Sequence, residues 1–355
     1  MKTYHRFLSK HWSYNFLLSF CIINILLLVG NLVKYGSKVG LLNILPIIPT
    51  LLPGMLVYSL PMSALISTVT TLSRARRQTE PITLASSGIS LFQLTPPFLL
   101  IGISLSILTA VSFEWLQPFS EKVKREYLAS IGARLIDNEL SKPQAHLQFP
   151  DVSIFFFKKE DQSRSAVIQQ REKGKITAEL MVQNVSYEIN KSKKELELTF
   201  ADFNLIKFEN AVPRGIGDFS GANKTLSFSY PESFSGKSSY RQMPPTEMWR
   251  QMKEGKSKNP LKLKSYFYEK ISLIFSPLLL IAAAFPLGFM GNSESRIVGF
   301  FLGLGLAFLV YYPLLIAGKK MTMAELDPAW LIMQIPNFAL LLIGIIGLSR
   351  LDHRI

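Results

Sequence analysis

Apolar residues gather into six near-continuous runs of about 18 to 22 residues, the length a helix needs to cross a bilayer. The runs extend from Phe16 to Val33, Pro49 to Leu72, Pro96 to Phe113, Ile271 to Met290, Ile297 to Ala317 and Ala329 to Leu348. Between the third and fourth lies a polar block, Glu114 to Lys270, too long for a loop. It opens with a charged helical segment, Glu121 to Leu140, continuous with the third run. After Pro143 the period falls to two: Val152, Ile154 and Phe156 alternate with Ser153, Phe155 and Phe157, and Leu196, Leu198 and Phe200 with charged or hydroxylic neighbours. Ile176 to Ile189, Glu195 to Phe208 and Lys224 to Tyr230 are predicted strands. The turn-forming clusters Glu172-Lys173-Gly174-Lys175 and Asn190-Lys191-Ser192-Lys193 favour antiparallel pairing, as in a sandwich or jelly roll. Asp218 to Pro245 is rich in Ser, Gly and Pro, and Gly255 to Pro260 is a polar linker. The predicted fold is an α-helical membrane protein with six transmembrane helices, three on each side of an inserted β-jelly-roll domain. Its parts are residues 1–113, 114–270 and 271–355.

Ser73 to Leu94, between the second and third runs, is too short for a domain and too patterned for an idle loop. Thr79 offers a capping hydroxyl, Glu80 an acid suited to the positive end of a helix dipole, and Pro81 a residue tolerated at the first helical position. Ile82, Leu84 and Ala85 form an apolar side and Gly88 a stop. A short helix near residues 79–88, lying at the membrane surface, is predicted.

The net charge of +14 invites a nucleic-acid reading until its location is considered. If the spans alternate, Lys2, Arg6, Lys10, Arg74, Arg76, Arg77, Arg296, Arg350 and Arg354 share one side, and only Lys34, Lys38, Lys319 and Lys320 stand in the short loops opposite. The positive-inside rule puts the first set, both termini and Ser73 to Leu94 in the cytoplasm, and Glu114 to Lys270 outside. No nucleic-acid partner is called for. The first run is too long for a signal peptide, and Asn31-Leu32-Val33 is not a small-residue cleavage site, so it is predicted to stay in the mature protein. The one cysteine, Cys21, lies within that run, so the outer domain is expected to be held by its core and not by disulfides.

No catalytic constellation emerges. His5, His11, His146 and His353 are scattered, and no cysteine pair offers a metal site. Gly-Lys-Ser at Gly236 and at Gly255 lacks the upstream glycine of a phosphate loop, where Pro231 and Arg250 stand instead. The chain is read as no enzyme and as carrying no cofactor; any ATP is bound and hydrolysed by a partner.

Asn24, Asn31, Lys34 and Lys38 fall within an arc of about 80° on one helix face, at 100° per residue. Polar groups are expensive in hydrocarbon, so such a stripe faces protein or a cavity. Alternatively, the asparagines join helices and the lysines reach the head groups. Asn31, Lys34 and Lys38 are the candidate substrate contacts. In the fifth run Gly299, Gly303 and Gly305 form a small-residue face, suited to packing within the chain or to a subunit interface through Gly299 and Gly303. Prolines at 46, 49, 53, 61, 277, 286, 313 and 336 predict kinked helices.

Together these elements resemble the LptF/LptG family, the paired permease subunits of the bacterial lipopolysaccharide exporter. The segment from Leu72-Ser73-Arg74 through Glu80, Leu84, Ala85 and Gly88-Ile89-Ser90 is similar to the family's coupling segment. Ser276-Pro277 with Phe285-Pro286-Leu287-Gly288, and Pro328-Ala329-Trp330 with Pro336-Asn337, resemble its fourth and sixth spans. The resemblance implies an inner-membrane protein with a periplasmic jelly roll, acting in a heterodimer with a paralogous LptF/LptG-type subunit over an LptB-type ATPase dimer. Further implied partners are an LptC-type single-span protein and a periplasmic bridge. Lipopolysaccharide is the implied substrate, its lipid A phosphates meeting the lysines at the outer end of the first span. Glu80, with Arg77, Leu84 and Gly88, is implied in docking the ATPase. The competing readings are a permease of lipoprotein-releasing type and a membrane-anchored envelope assembly scaffold.

Overall fold

The computed structural model describes residues 2–39, 42–78, 91–149, 152–158, 164–172, 175–190, 195–209, 212–219, 224–229, 240–290, 301 and 303–352. Two compact units divide the chain. One comprises Met1–Ser37, Ile44–Glu121 and Ser238–Ile355, the other Lys38–Asn43 and Lys122–Lys237.

The first unit is a helical bundle: α1 (Lys2–Val39, leaving this unit after Ser37), α2 (Ile48–Arg77), α3 (Thr95–Val111), α4 (Gln117–Leu140, leaving this unit after Glu121), α5 (Pro245–Glu254), α6 (Pro260–Met290), α7 (Tyr312–Met323) and α8 (Ala329–Asp352). Short 3₁₀ turns precede α2, α3 and α5, and π turns at Ser112–Leu116 and Leu306–Tyr311 lead into α4 and α7. Among the described residues six segments are long and apolar enough to cross a membrane: Tyr4–Lys34, Leu45–Arg77, Thr95–Leu140, Pro260–Phe289, Gly303–Met323 and Ala329–Arg350. The first is longer than its apolar run. Leu8 and Trp12, one turn apart, are buried with Leu72, Ala75, Phe98 and Phe285, so packing carries the helix back through charged positions where an apolar run stops. The fifth extends past the expected Ala317 to Met323, because Leu315, Gly318 and Thr322 form one buried face across Lys319 and Lys320.

Helix α6 is the hub, packing on α2, α3, α7 and α8. Its apolar window is 61% buried, against 11% for α1. Lipid tails are as apolar as leucine, so helices gain little from apolar burial and associate through close approach of small residues. Accordingly Ser59, Ser63 and Ser67 of α2 and Ser272, Ser276, Ala283 and Ala284 of α6 are all fully buried. Prolines shape the same surfaces. Pro277 cannot donate to the Leu273 carbonyl, and the Ser276 hydroxyl donates to it instead at 2.8 Å. Pro286 likewise frees the Ala282 carbonyl, and Gly344 and Gly347 of α8 pass over this stretch. A Cβ on Gly344 would stand 3.2 Å from the Ala282 oxygen, and one on Gly347 would stand 2.5 Å from the Pro286 ring. Gly347→Leu is therefore expected to cost about 1–3 kcal/mol through overpacking. Thermal unfolding in detergent checks this; an unchanged midpoint would mean that α8 does not pack against Pro286.

In the second unit, β1 (Gln144–Gln148), β2 (Val152–Lys158), β3 (Arg164–Glu172), β4 (Lys175–Asn190), β5 (Glu195–Glu209), β6 (Val212–Phe219) and β7 (Lys224–Ser229) form one antiparallel sheet. The order is β1-β2-β3-β4-β5-β6, with β7 on the first half of β5. The long hairpin of β4 and β5 breaks register where Asn184 and Asp202 stand unopposed, at φ 54° and 59°. Asn and Asp tolerate this left-handed region better than most residues, and paired bulges bend both strands together. The bend folds the sheet over. β1 and β7 are five ladder steps apart, about 24 Å in a flat sheet. Yet Phe149, just after β1, lies 5.6 Å from Phe228 of β7, ring centre to ring centre. Between the two halves Ile154, Phe156, Ile168, Val182, Leu196, Leu198 and Phe200 form the core, joined by Ile136 and Leu140 of α4. The sequence reading missed β1, β3 and β6. β6 carries Pro213, Gly215 and Gly217, residues that read as turn and are tolerated only at a sheet edge, where β6 lies.

Candidate functional site

The polar stripe of α1 is realised in part. Asn24 and Asn31 are half-buried, but each turns its amide N–H back to its own helix, Asn24 to the Phe20 carbonyl at 2.8 Å and Asn31 to the Leu27 carbonyl at 2.9 Å. These two amide N–H groups therefore do not stitch α1 to a neighbouring helix. The Asn24 carbonyl oxygen is buried without a partner in this chain. One turn beyond Asn31, Lys34 is exposed; Lys38 lies in the last turn of α1. Leu17, Leu18, Ile22, Ile25, Leu26, Val29 and Val33 expose large apolar surface along the same helix. On the fifth span a Cβ at Gly303 would stand 3.2 Å from Ile66 Cγ1 and 3.3 Å from Ile66 Cα of α2, so Gly303 packs within the chain, whereas a Cβ at Gly305 would meet nothing within 4 Å. Gly299 lies outside the described residues, as do Glu80, Leu84 and Gly88. Arg77 is exposed at the end of α2, in a last turn that also holds Arg74 and Arg76.

Sequence reasoning missed a polar network around the start of α6. Lys319 of α7 reaches Glu269 of α6 at 2.6 Å, and both side chains are mostly buried. The same ammonium stands 3.7 Å from the centre of the Tyr266 ring, a cation–π contact. Lys270, 3% exposed, donates to the Met243 carbonyl at 2.7 Å and to Gln117 Oε1 at 3.4 Å, over the Phe113 ring. Arg241 donates to the Tyr58 hydroxyl of α2 at 2.8 Å. Gln242 donates to Glu121 at 2.7 Å. The N-cap position of α5 is Pro244, which has no side-chain oxygen; the Glu114 carboxylate accepts from the Thr246 N–H and hydroxyl instead. An acid there suits the positive end of the helix dipole. The segment from Arg241 to Thr246 is thus tied to α2, to the π turn, to α4 and to α6. One signal was present in the sequence: a carboxylate, Glu269, abutting an apolar span requires a partner. Among the described residues no group of three His, Cys, Asp or Glu side chains could hold a metal.

Six potential spans among the described residues, flanking an antiparallel β unit, define a multi-pass membrane protein. The chain belongs to the family described as lipopolysaccharide export system permease LptF/LptG, which it matches over residues 6–350. It is therefore a transport subunit of the inner membrane and not itself an enzyme. No curated protein matches it.

Proposed function

We propose that this chain extracts lipopolysaccharide from the inner membrane as one half of a heterodimer with a paralogous LptF/LptG-type subunit, driven by an LptB-type ATPase dimer. The β unit hands the lipid towards a periplasmic bridge, with an LptC-type single-span protein nearby. The observation that carries this reading is Lys34, an exposed cation at the far end of a thinly attached apolar helix, on the face that holds Asn24 and Asn31. Lys38 follows one turn later, in the last turn of α1. The ligand this suits is an anionic head group on apolar chains. At the other end of the bundle, Arg74, Arg76 and Arg77 close α2 just before the segment of Glu80, Leu84 and Gly88, which supports ATPase docking there.

A charge-assisted hydrogen bond contributes about 1.5–3 kcal/mol, so Lys34→Ala should weaken lipid loading about tenfold to a hundredfold. Lys34→Arg should retain most of it. The test is photocrosslinking from position 34 to lipopolysaccharide, with transport measured in the Ala, Arg and Gln variants. No crosslink together with a fully active Lys34→Gln would reduce Lys34 to an interfacial anchor.

A further inference from the structure

A second cationic site lies at the opposite end of α1. There α1 is tied to α2 by Trp12 Nε1 donating to Thr68 Oγ1 and Asn15 Nδ2 donating to Thr71 Oγ1, both at 2.9 Å. Beside these bonds a cavity of about 410 Å³ is lined by Lys10, His11, Tyr14, Asn15, Thr70 and Arg74. Arg74 Nη1 lies 2.6 Å from His11 Nδ1. A guanidinium has only donors, so His11 accepts through Nδ1, and Arg74 is held in place with further N–H groups left over. The Thr70 hydroxyl is buried without a hydrogen-bond partner. No carboxylate among the described residues forms an ion pair with Lys10 or Arg74, and the first acid in the chain is Glu80.

We propose that this cavity binds the phosphate of an anionic membrane phospholipid. An uncompensated lysine and arginine, a buried hydroxyl and an asparagine offer donors of the kind that a phosphodiester accepts. Lipid, and not a soluble phosphate, is the source because the mouth adjoins exposed apolar surface on α1. Tyr14 is 67% exposed, Leu17 62% and Leu18 53%, a track for acyl chains leading away from the cations. Tyr14 belongs to both surfaces, with its ring on the track and its place in the cavity lining. The site is separate from the Lys34 end of the same helix, so it concerns a resident lipid and not the exported one.

The test is native mass spectrometry of the full chain released from nanodiscs containing phosphatidylglycerol and phosphatidylcholine in equal amounts. The wild type should retain phosphatidylglycerol in preference. Lys10→Gln, which removes no hydrogen bond within the chain, should lower that preference about tenfold, in line with one charge-assisted bond, and Lys10→Arg should keep it. Arg74→Gln should remove the preference, with an unfolding profile measured alongside because His11 loses its partner too. Equal retention of both lipids by the wild type, or no change in Lys10→Gln, overturns the proposal. A third arm adds inorganic phosphate: displacement of phosphatidylglycerol at concentrations where phosphate itself binds would make this a free-anion site and overturn the lipid assignment. Crosslinking of lipopolysaccharide at position 34 is unaffected by any of these outcomes, so the two sites stand or fall separately.

Discussion

Lys319→Met is expected to destabilise the bundle by about 3–5 kcal/mol, because it leaves Glu269 charged and mostly buried without its cation. The loss comes from the stranded carboxylate more than from the missing bond. The double variant Glu269→Gln with Lys319→Met removes both charges and should regain most of the stability. Reversible denaturation in mixed micelles, followed by helical circular dichroism, measures all three proteins. A double variant no more stable than Lys319→Met would show that the Lys319 stem over Tyr266, and not the charge, supports this corner.

Phe200→Ala in the β unit is expected to cost a similar amount, about 3–5 kcal/mol. Phe200 is 1% exposed, two residues before the bulge at Asp202, and its ring meets Phe203 edge-on at 5.6 Å. A cavity there opens the core where the two halves of the sheet are folded together. Phe157→Ala offers the contrast: its ring is 42% exposed on β2, and its removal should cost no more than about 1 kcal/mol. Limited proteolysis across a urea gradient reads both. If the two variants were cleaved at the same urea concentration, the bend at Asn184 and Asp202 would not depend on the core beneath it.

The spans and the longest strands were legible in the sequence because their signals are local. A continuous apolar run and a period of two depend only on neighbours along the chain, and they identified α2, α8, β4 and β5 to within about five residues, whereas α6 begins at Pro260, well ahead of the expected Ile271. What bends β4 and β5 was not legible. Asn184 and Asp202 look like ordinary polar positions in alternating strands, and only their pairing across the hairpin turns two polar residues into a fold line. The network at the head of α6 escaped for a related reason. Tyr58, Arg241, Glu269 and Lys319 come from four separate parts of the chain, and Lys319 read from sequence alone is simply a loop cation. For α1 the face calculation grouped Asn24, Asn31 and Lys34 on one side, but a wheel cannot say whether an amide bonds its neighbour or its own backbone. The structure answers that for both asparagines.

The uneven attachment of α1 has a mechanical consequence. Its side-chain bonds to α2 cluster at His11, Trp12 and Asn15, while the amides of Asn24 and Asn31 turn inward to their own backbone. A rod held by such a cluster can pivot about it as a lever does about its fulcrum. From Asn15 to Lys34 the helix rises about 28 Å, so a tilt of about 10° around that cluster swings Lys34 sideways by about 5 Å. That is half the width of a helix, achieved without breaking any of the bonds at the fulcrum.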